Sequence, residues 1–115
     1  MDKHYLIAAI NEYINKNYVK NITLQEISNA IHVSPSYISR LYKKKTGMTL
    51  TNAINQLRIQ KSKTLLHNST YKIYEVGNMV GITDAGYFTN LFIKYEGCSP
   101  SEYRGIYGKR DKSVL

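Results

Sequence analysis

Apolar positions fall at helical intervals almost from the start of the chain. Leu6, Ile7, Ile10, Tyr13 and Ile14 recur at three- and four-residue steps and predict an amphipathic helix from about Lys3 to Asn17. A loop over Asn17 to Asn21 follows. Thr23 and Glu26 then stand three residues apart, so that hydroxyl and carboxylate can cap each other's amides, and Ile22 and Ile27 flank them as a hydrophobic staple. This second helix is short and ends near Ile31. Ser34 and Pro35 open a third helix, the serine as N-cap and the proline at the first helical position, where its missing N–H costs nothing. It runs through Lys45 and stops at Gly47. A longer helix is expected from about Leu50 to His67, with Ala53, Ile54, Leu57, Leu65 and Leu66 on its apolar side and Arg58, Lys61 and Lys63 on wet faces. Asn68-Ser69-Thr70 breaks it.

The pattern then repeats. Leu24, Ile27, Ile31 and Val33 are echoed 49 residues later by Ile73, Val76, Val80 and Ile82. From the turn onward the offset is 50: Ser34 meets Asp84, Tyr37 meets Tyr87, Ile38 meets Phe88, Leu41 meets Leu91, Lys44 meets Lys94 and Gly47 meets Gly97. One residue inserted in the turn accounts for the change. A short helix, a tight turn and a capped helix with a polar, basic face make a helix-turn-helix. Two copies around one long helix fit a duplicated unit better than a solenoid, which needs at least three repeats. Asp84 caps the second such helix, which runs to about Tyr95. Ser99-Pro100 starts a last short helix ending near Arg104, and Gly105 and Gly108 loosen residues 105–115 into a frayed tail. The expected organisation within residues 1–115 is one domain: a first unit over 3–47, a connecting helix over 50–67 and a second unit over 72–104.

Charge adds a partner to this layout. Sixteen Lys and Arg against eight Asp and Glu leave a formal net charge of +8, the balance of a domain that meets nucleic acid or another anionic surface. A single cysteine, Cys98, excludes an internal disulfide and a multi-cysteine zinc site, and His4, His32 and His67 lack metal-ligand spacing. No nucleophile–base pair, glycine-rich phosphate loop or carboxylate pair is in view, so neither an enzyme nor a cofactor is expected. The amphipathic, acid-containing N-terminus lacks a signal-peptide core, and no apolar run approaches membrane-spanning length, which points to a reducing cytoplasm. The competing reading is a basic amphipathic module for protein interaction or a membrane surface, without sequence-specific DNA reading. The 11 tyrosines are scattered over core and surface positions, a pattern expected from packing more than from a stacking platform.

The motifs ITLQEISNAIHVSPSYISRLYKKKTGMTL and YKIYEVGNMVGITDAGYFTNLFIKYEGCSPSEYR, joined by NQLRIQKSKTLL, resemble the AraC/XylS family of bacterial transcription regulators from about Asn21 to Arg104. The style of the first motif looks most like regulators in which such a part follows a phospho-acceptor receiver domain. The resemblance implies an all-α fold of about seven helices, with two homeodomain-like helix-turn-helix subdomains joined by a long connecting helix. It implies recognition helices entering successive major grooves of double-stranded promoter DNA about one turn apart, with RNA polymerase as a further partner. The domain itself would be monomeric, with dimerisation or signal input supplied from elsewhere. A small stand-alone activator and the C-terminal piece of a longer regulator both stay open, the second favoured.

Carried onto this chain, the family's base-facing positions fall on Ser36, Ser39 and Arg40 in the first unit. These share a helix face with Lys43, opposite Ile38, Leu41 and Tyr42. Arg40 can fork onto a guanine, whereas the serines discriminate less. Tyr37, Lys43 and Lys44 are placed for phosphates. In the second unit the equivalent face holds Ala85, Gly86, Thr89 and Asn90, with Tyr87 and Lys94 for phosphates. Here the chain departs from the pattern: Ala85 and Gly86 offer only apolar contact or close backbone approach where larger polar groups are usual. Gly77 stands where the family favours alanine, at a cost of roughly 1 kcal/mol. Ile82 replaces a usual phenylalanine, which predicts a less filled core. His32 takes a turn position that implies a left-handed conformation. Arg58 is assigned a structural role or a phosphate contact.

Overall fold

The computed structural model describes residues 3–108. Among them lie seven helices and no strand: α1 (Lys3–Asn17), α2 (Leu24–Ile31), α3 (Pro35–Thr46), α4 (Leu50–Asn68), α5 (Ile73–Met79), α6 (Ala85–Glu96) and α7 (Pro100–Tyr107). Local chemistry sets most of these ends. Thr23, Ser34, Asp84 and Ser99 each accept the backbone N–H three residues on, at 3.1, 3.3, 2.8 and 3.1 Å. Ser99 and Glu102 cap each other reciprocally, the Ser99 N–H donating to the carboxylate at 2.9 Å. At Thr23 only the hydroxyl half forms, because the Glu26 carboxylate faces the Tyr13 hydroxyl at 3.4 Å. Gly47 and Gly97 close α3 and α6 in the left-handed region, at φ 77° and 81°. The frayed end expected from Gly105 is corrected: α7 continues through it to Tyr107, since Gly108 carries the cap by donating to the Arg104 carbonyl at 2.7 Å. Residues 109–115 of that expected tail lie outside the described residues.

The chain divides into two compact units, with the boundary inside α4 between Leu57 and Arg58. The first buries Ile10, Ile14, Ile27, Ile38, Tyr42 and Ile54 as one cluster, with Ile22, Leu24, Ile31, Val33, Ala53 and Leu57 packed against it. Tyr42 keeps its polar end satisfied by donating to Asn11 Oδ1 at 2.8 Å. The second unit buries Ile59, Leu66, Val76, Val80, Ile82, Leu91 and the rings of Phe88 and Phe92. Its aromatic groups form an edge-to-face series, Phe88 to Phe92 at 6.0 Å and Phe92 to Tyr103 at 5.5 Å. The tyrosines are divided between core and surface, with Tyr42 buried and Tyr5, Tyr71, Tyr74, Tyr87 and Tyr107 exposed.

Two expectations about the second unit are overturned. Lys63 does not face open water: its Nζ meets Glu96 Oε1 at 2.9 Å and lies 5.9 Å from the centre of the Tyr103 ring. The hydrogen bond to Glu96 holds the Lys63 ammonium above its ordinary pKa. Gly77 is not a defect left in a loosely filled core. A Cβ there would lie 3.0 Å from the Ile82 carbonyl oxygen and 3.2 Å from two atoms of the Phe88 ring, so the space is already taken. The matching residue of the first unit is Ser28, whose hydroxyl donates to the Val33 carbonyl at 2.6 Å, and the residue that the repeat matches to Phe88 is the smaller Ile38. Ring volume gained at 88 is thus matched by a side chain lost at 77.

Gly77→Ala is therefore expected to destabilise the unit by about 1–2 kcal/mol through overpacking, despite alanine's ~1 kcal/mol advantage in helix propensity. In a Phe88→Ala background, which removes both ring atoms and leaves the Ile82 carbonyl contact, the cost of the same change should shrink. A double-mutant cycle in urea checks this, and a Gly77→Ala cost unchanged by Phe88→Ala would refute it.

Candidate nucleic-acid interface

The first unit presents α3 through a tight turn. His32 occupies the left-handed region at φ 59° and ψ 42°, and its N–H returns to the Ser28 carbonyl at 2.9 Å. Gly81 holds the matching place in the second unit at φ 92°. Histidine there carries a strain that the glycine avoids. The turn lets Ser34 cap α3, and α3 then splits cleanly by face. Ile38, Leu41 and Tyr42 are buried, while Ser36, Ser39, Arg40, Lys43 and Lys44 are exposed and Tyr37 is half-buried.

Ser39, Arg40, Lys43 and Lys44 line one open concavity of about 410 Å³ together with Thr49. Ser36 and Tyr37 are not among its lining residues. Thr49 is a member that sequence reasoning missed. Its hydroxyl accepts the Asn52 N–H at 3.1 Å and its carbonyl the Ala53 N–H at 3.0 Å, so it caps α4 beside the basic cluster. A threonine just before a helical run was the available signal. Among the described residues Arg40 is held only by a long 3.4 Å contact from Nε to the Ser36 carbonyl, which leaves its guanidinium edge open to a ligand. Lys43 is folded back, donating to the Gly47 carbonyl at 3.0 Å and so capping its own helix. A phosphate contact by Lys43 requires that bond to be exchanged. Lys44 and Lys45 are exposed beside it.

In the second unit α6 buries Phe88, Leu91 and Phe92 and exposes Ala85, Gly86, Asn90 and Lys94, with Tyr87 half exposed and Thr89 half-buried. Lys94 Nζ lies 5.8 Å from the centre of the Tyr95 ring. Arg58 is half-buried on α4, and that burial lowers the guanidinium's pKa from its ordinary value while Tyr87 offsets part of the effect. This environment suits a structural role. Arg104 is the residue whose task the sequence did not disclose. Its Nε donates to the Leu66 carbonyl at 3.1 Å and its Nη1 to the Tyr71 carbonyl at 2.5 Å, tying α7 to the end of α4 and the loop beyond. His67 Nδ1 meets the Tyr107 carbonyl alongside. Among the described residues no group of three or more His, Cys, Asp or Glu could hold a metal ion, and no helix is long and apolar enough to cross a membrane.

A capped helix bearing a polar and basic outer face, reached through a tight turn and built twice in one chain, defines a DNA-binding domain of the helix-turn-helix class. Comparison with known proteins narrows the class. A family model described as a helix-turn-helix domain matches residues 27–106, and the chain belongs to the AraC/XylS family of transcription regulators. It is 36% identical over 102 residues to YijO of Escherichia coli K12, an uncharacterised HTH-type transcriptional regulator, covering 89% of this chain and 36% of that protein. It is 37% identical over 98 residues to AdaA of Bacillus subtilis, a bifunctional transcriptional activator and DNA repair enzyme, covering 85% of this chain and 46% of that one. The chain thus spans less than half the length of these curated relatives. Among solved structures, the C-terminal domain of AraT, a response regulator from Geobacillus stearothermophilus, superposes with a TM-score of 0.87 at 28% identity, covering 93% of this chain and 89% of that domain.

Proposed function

We propose that residues 1–115 act as one DNA-binding domain that holds a bacterial promoter through two unequal readers. The observation that carries this reading is the outer face of α3, where Ser39, Arg40, Lys43 and Lys44 surround one concavity while the opposite face closes the core. Arg40 reads a guanine, Ser36 and Ser39 add less selective contacts, and Tyr37, Lys43 and Lys44 take phosphates. In the second unit Thr89 and Asn90 reach bases, Ala85 and Gly86 meet DNA by fit, and Tyr87 and Lys94 hold the backbone. Arg58 serves a structural role, its guanidinium half-buried and coupled electrostatically to Tyr87.

The domain performs no chemistry of its own. It works in the cytoplasm, as a monomer within a longer regulator whose remaining part supplies dimerisation or a signal, as the response-regulator origin of AraT suggests. RNA polymerase is its partner at the promoter.

The test is a binding titration against salt, on a duplex selected by the chain from a random pool. Three lysines on phosphates predict a log–log slope of about −3 or steeper. The selected duplex should bind roughly a thousandfold more tightly than a scrambled one. Equal binding to anionic vesicles and to any duplex, without sequence preference, would overturn the reading in favour of a membrane-surface module.

A further inference from the structure

The first unit leaves open a space whose copy in the second unit is crossed by a long side chain. Between the start of α2, the middle of α3 and the first turns of α4 lies a half-open cavity of about 160 Å³. Its floor is aliphatic: Ile27 and Ile54 are buried, and Ile22, Leu24 and Leu50 are half-buried. Thr23, Ser39, Thr49 and Thr51 stand exposed around it. The repeat matches Ile54 to Arg104 and Ile22 to Tyr71. Arg104 reaches from α7 to the carbonyls of Leu66 and Tyr71, spanning the corresponding gap. Isoleucine stops at its δ carbon and leaves the gap empty. The apolar walls there forgo the dispersion contacts that a filled space would give.

The lining sets the chemistry of an occupant. An aliphatic cavity of roughly 150 Å³ stays dry and takes a molecule the size of benzene. The hydroxyls of Thr23 and Thr49 accept the N–H groups of Glu26 and Asn52, each at 3.1 Å. Both are thereby fixed by the helices they cap, and each keeps its own proton to donate. A single ring bearing one oxygen therefore suits the floor and the rim together. No lining residue is charged, although the chain carries a net charge of +8. An ionised ligand would lose its hydration there without gaining a partner, so a neutral one is favoured.

We infer that this cavity is a ligand site for a small neutral ring compound bearing one oxygen, of the phenol or cyclic-alcohol class, and that its occupant competes with DNA. Ser39 and Thr49 line both this cavity and the basic concavity on α3. A ligand whose oxygen engages the Ser39 hydroxyl withdraws it from the bases, and by linkage DNA weakens the ligand in the same proportion. The competition rests on the DNA reading proposed above, whereas the site itself does not.

The test uses phenol as the probe, the whole chain, and the variants Leu50→Phe and Leu24→Phe, which fill the cavity from two different helices. Phenol should shift the amides of Leu24, Ser39 and Leu50 saturably, with half-saturation at about 1 mM or below. At saturation it should weaken binding to a selected duplex about fivefold or more. Each variant should melt no lower than the parent, hold the duplex within about twofold and lose phenol about tenfold. The added ring lacks the oxygen that engages Ser39, so DNA affinity is spared. No saturable shift up to about 10 mM, or phenol binding undiminished in both folded variants, would overturn the site. Folded variants that lose the duplex would refute it too, because the cavity would then belong to DNA. Phenol bound with duplex affinity unchanged would sink the competition. A chain that takes phenol but selects no duplex would overturn the DNA reading and leave the ligand site standing.

Discussion

Arg40→Ala is expected to weaken binding to the selected duplex by about 1–3 kcal/mol, a factor of roughly five to a hundred and fifty, and to relax preference at a single base pair. The structure separates this from a folding effect. Arg40 is exposed, stands on the face of α3 opposite the buried Ile38 and Leu41, and makes only a 3.4 Å contact with its own helix. The variant's melting temperature should therefore stay with the parent's. Lys44→Ala gives the contrasting signature, a uniform loss over all duplexes with a salt slope shallower by about one. Asn90→Ala, the comparable change on α6, should cost less than Arg40→Ala, because the second face lacks any cation among its base-facing positions. Titrations of the three variants on one duplex decide the ranking. Asn90 outweighing Arg40 would sink the proposal that the first unit dominates.

The features that could be read from sequence are those whose cause is local. A capping serine or aspartate needs only the amide three residues on, so Ser34, Asp84 and Ser99 announced the starts of α3, α6 and α7. The left-handed turn at His32, by contrast, was expected only through the family resemblance, which often places a glycine there, and the φ of 59° agrees with it. The repeat exposed the doubling because both copies bury the same face. What stayed hidden depends on residues distant in the chain. Glu96, which draws Lys63 out of water, lies 33 positions away. The reasons for Gly77 are the Ile82 carbonyl and the ring of Phe88, and without them the glycine reads as a fault. At the candidate interface the exposed faces were legible from periodicity, but the state of each side chain was not. Lys43 turns back onto Gly47, and Thr49 enters the basic concavity from the next helix.

Arg104→Ala is expected to destabilise the second unit by about 2–3 kcal/mol, the largest stability change foreseen for a single polar residue here. Carbonyls at the end of a helix have no partner within it and carry partial negative charge, so a guanidinium satisfies them doubly, by hydrogen bond and by charge. Arg104 meets the Leu66 carbonyl near the end of α4 and, through a second nitrogen, the Tyr71 carbonyl in the loop before α5. Removing it strands the part-buried Leu66 oxygen, leaves the exposed Tyr71 oxygen to water, and withdraws the side-chain stem from its packing. Arg104→Lys should recover little, because an ammonium lacks the planar fork that spans two acceptors. Arg104→Met restores the stem without the donors and so isolates the hydrogen bonds. Urea denaturation gives the totals, and amide exchange locates them: protection should fall along α5 and α7 and hold along α2 and α3. Arg104→Met as stable as the parent would show that the stem, not the fork, holds α7 in place. Because α6 packs within the same unit, loosening α7 should also cost DNA affinity, with the footprint lost first on the side proposed for Asn90 and kept longest on the side proposed for Arg40.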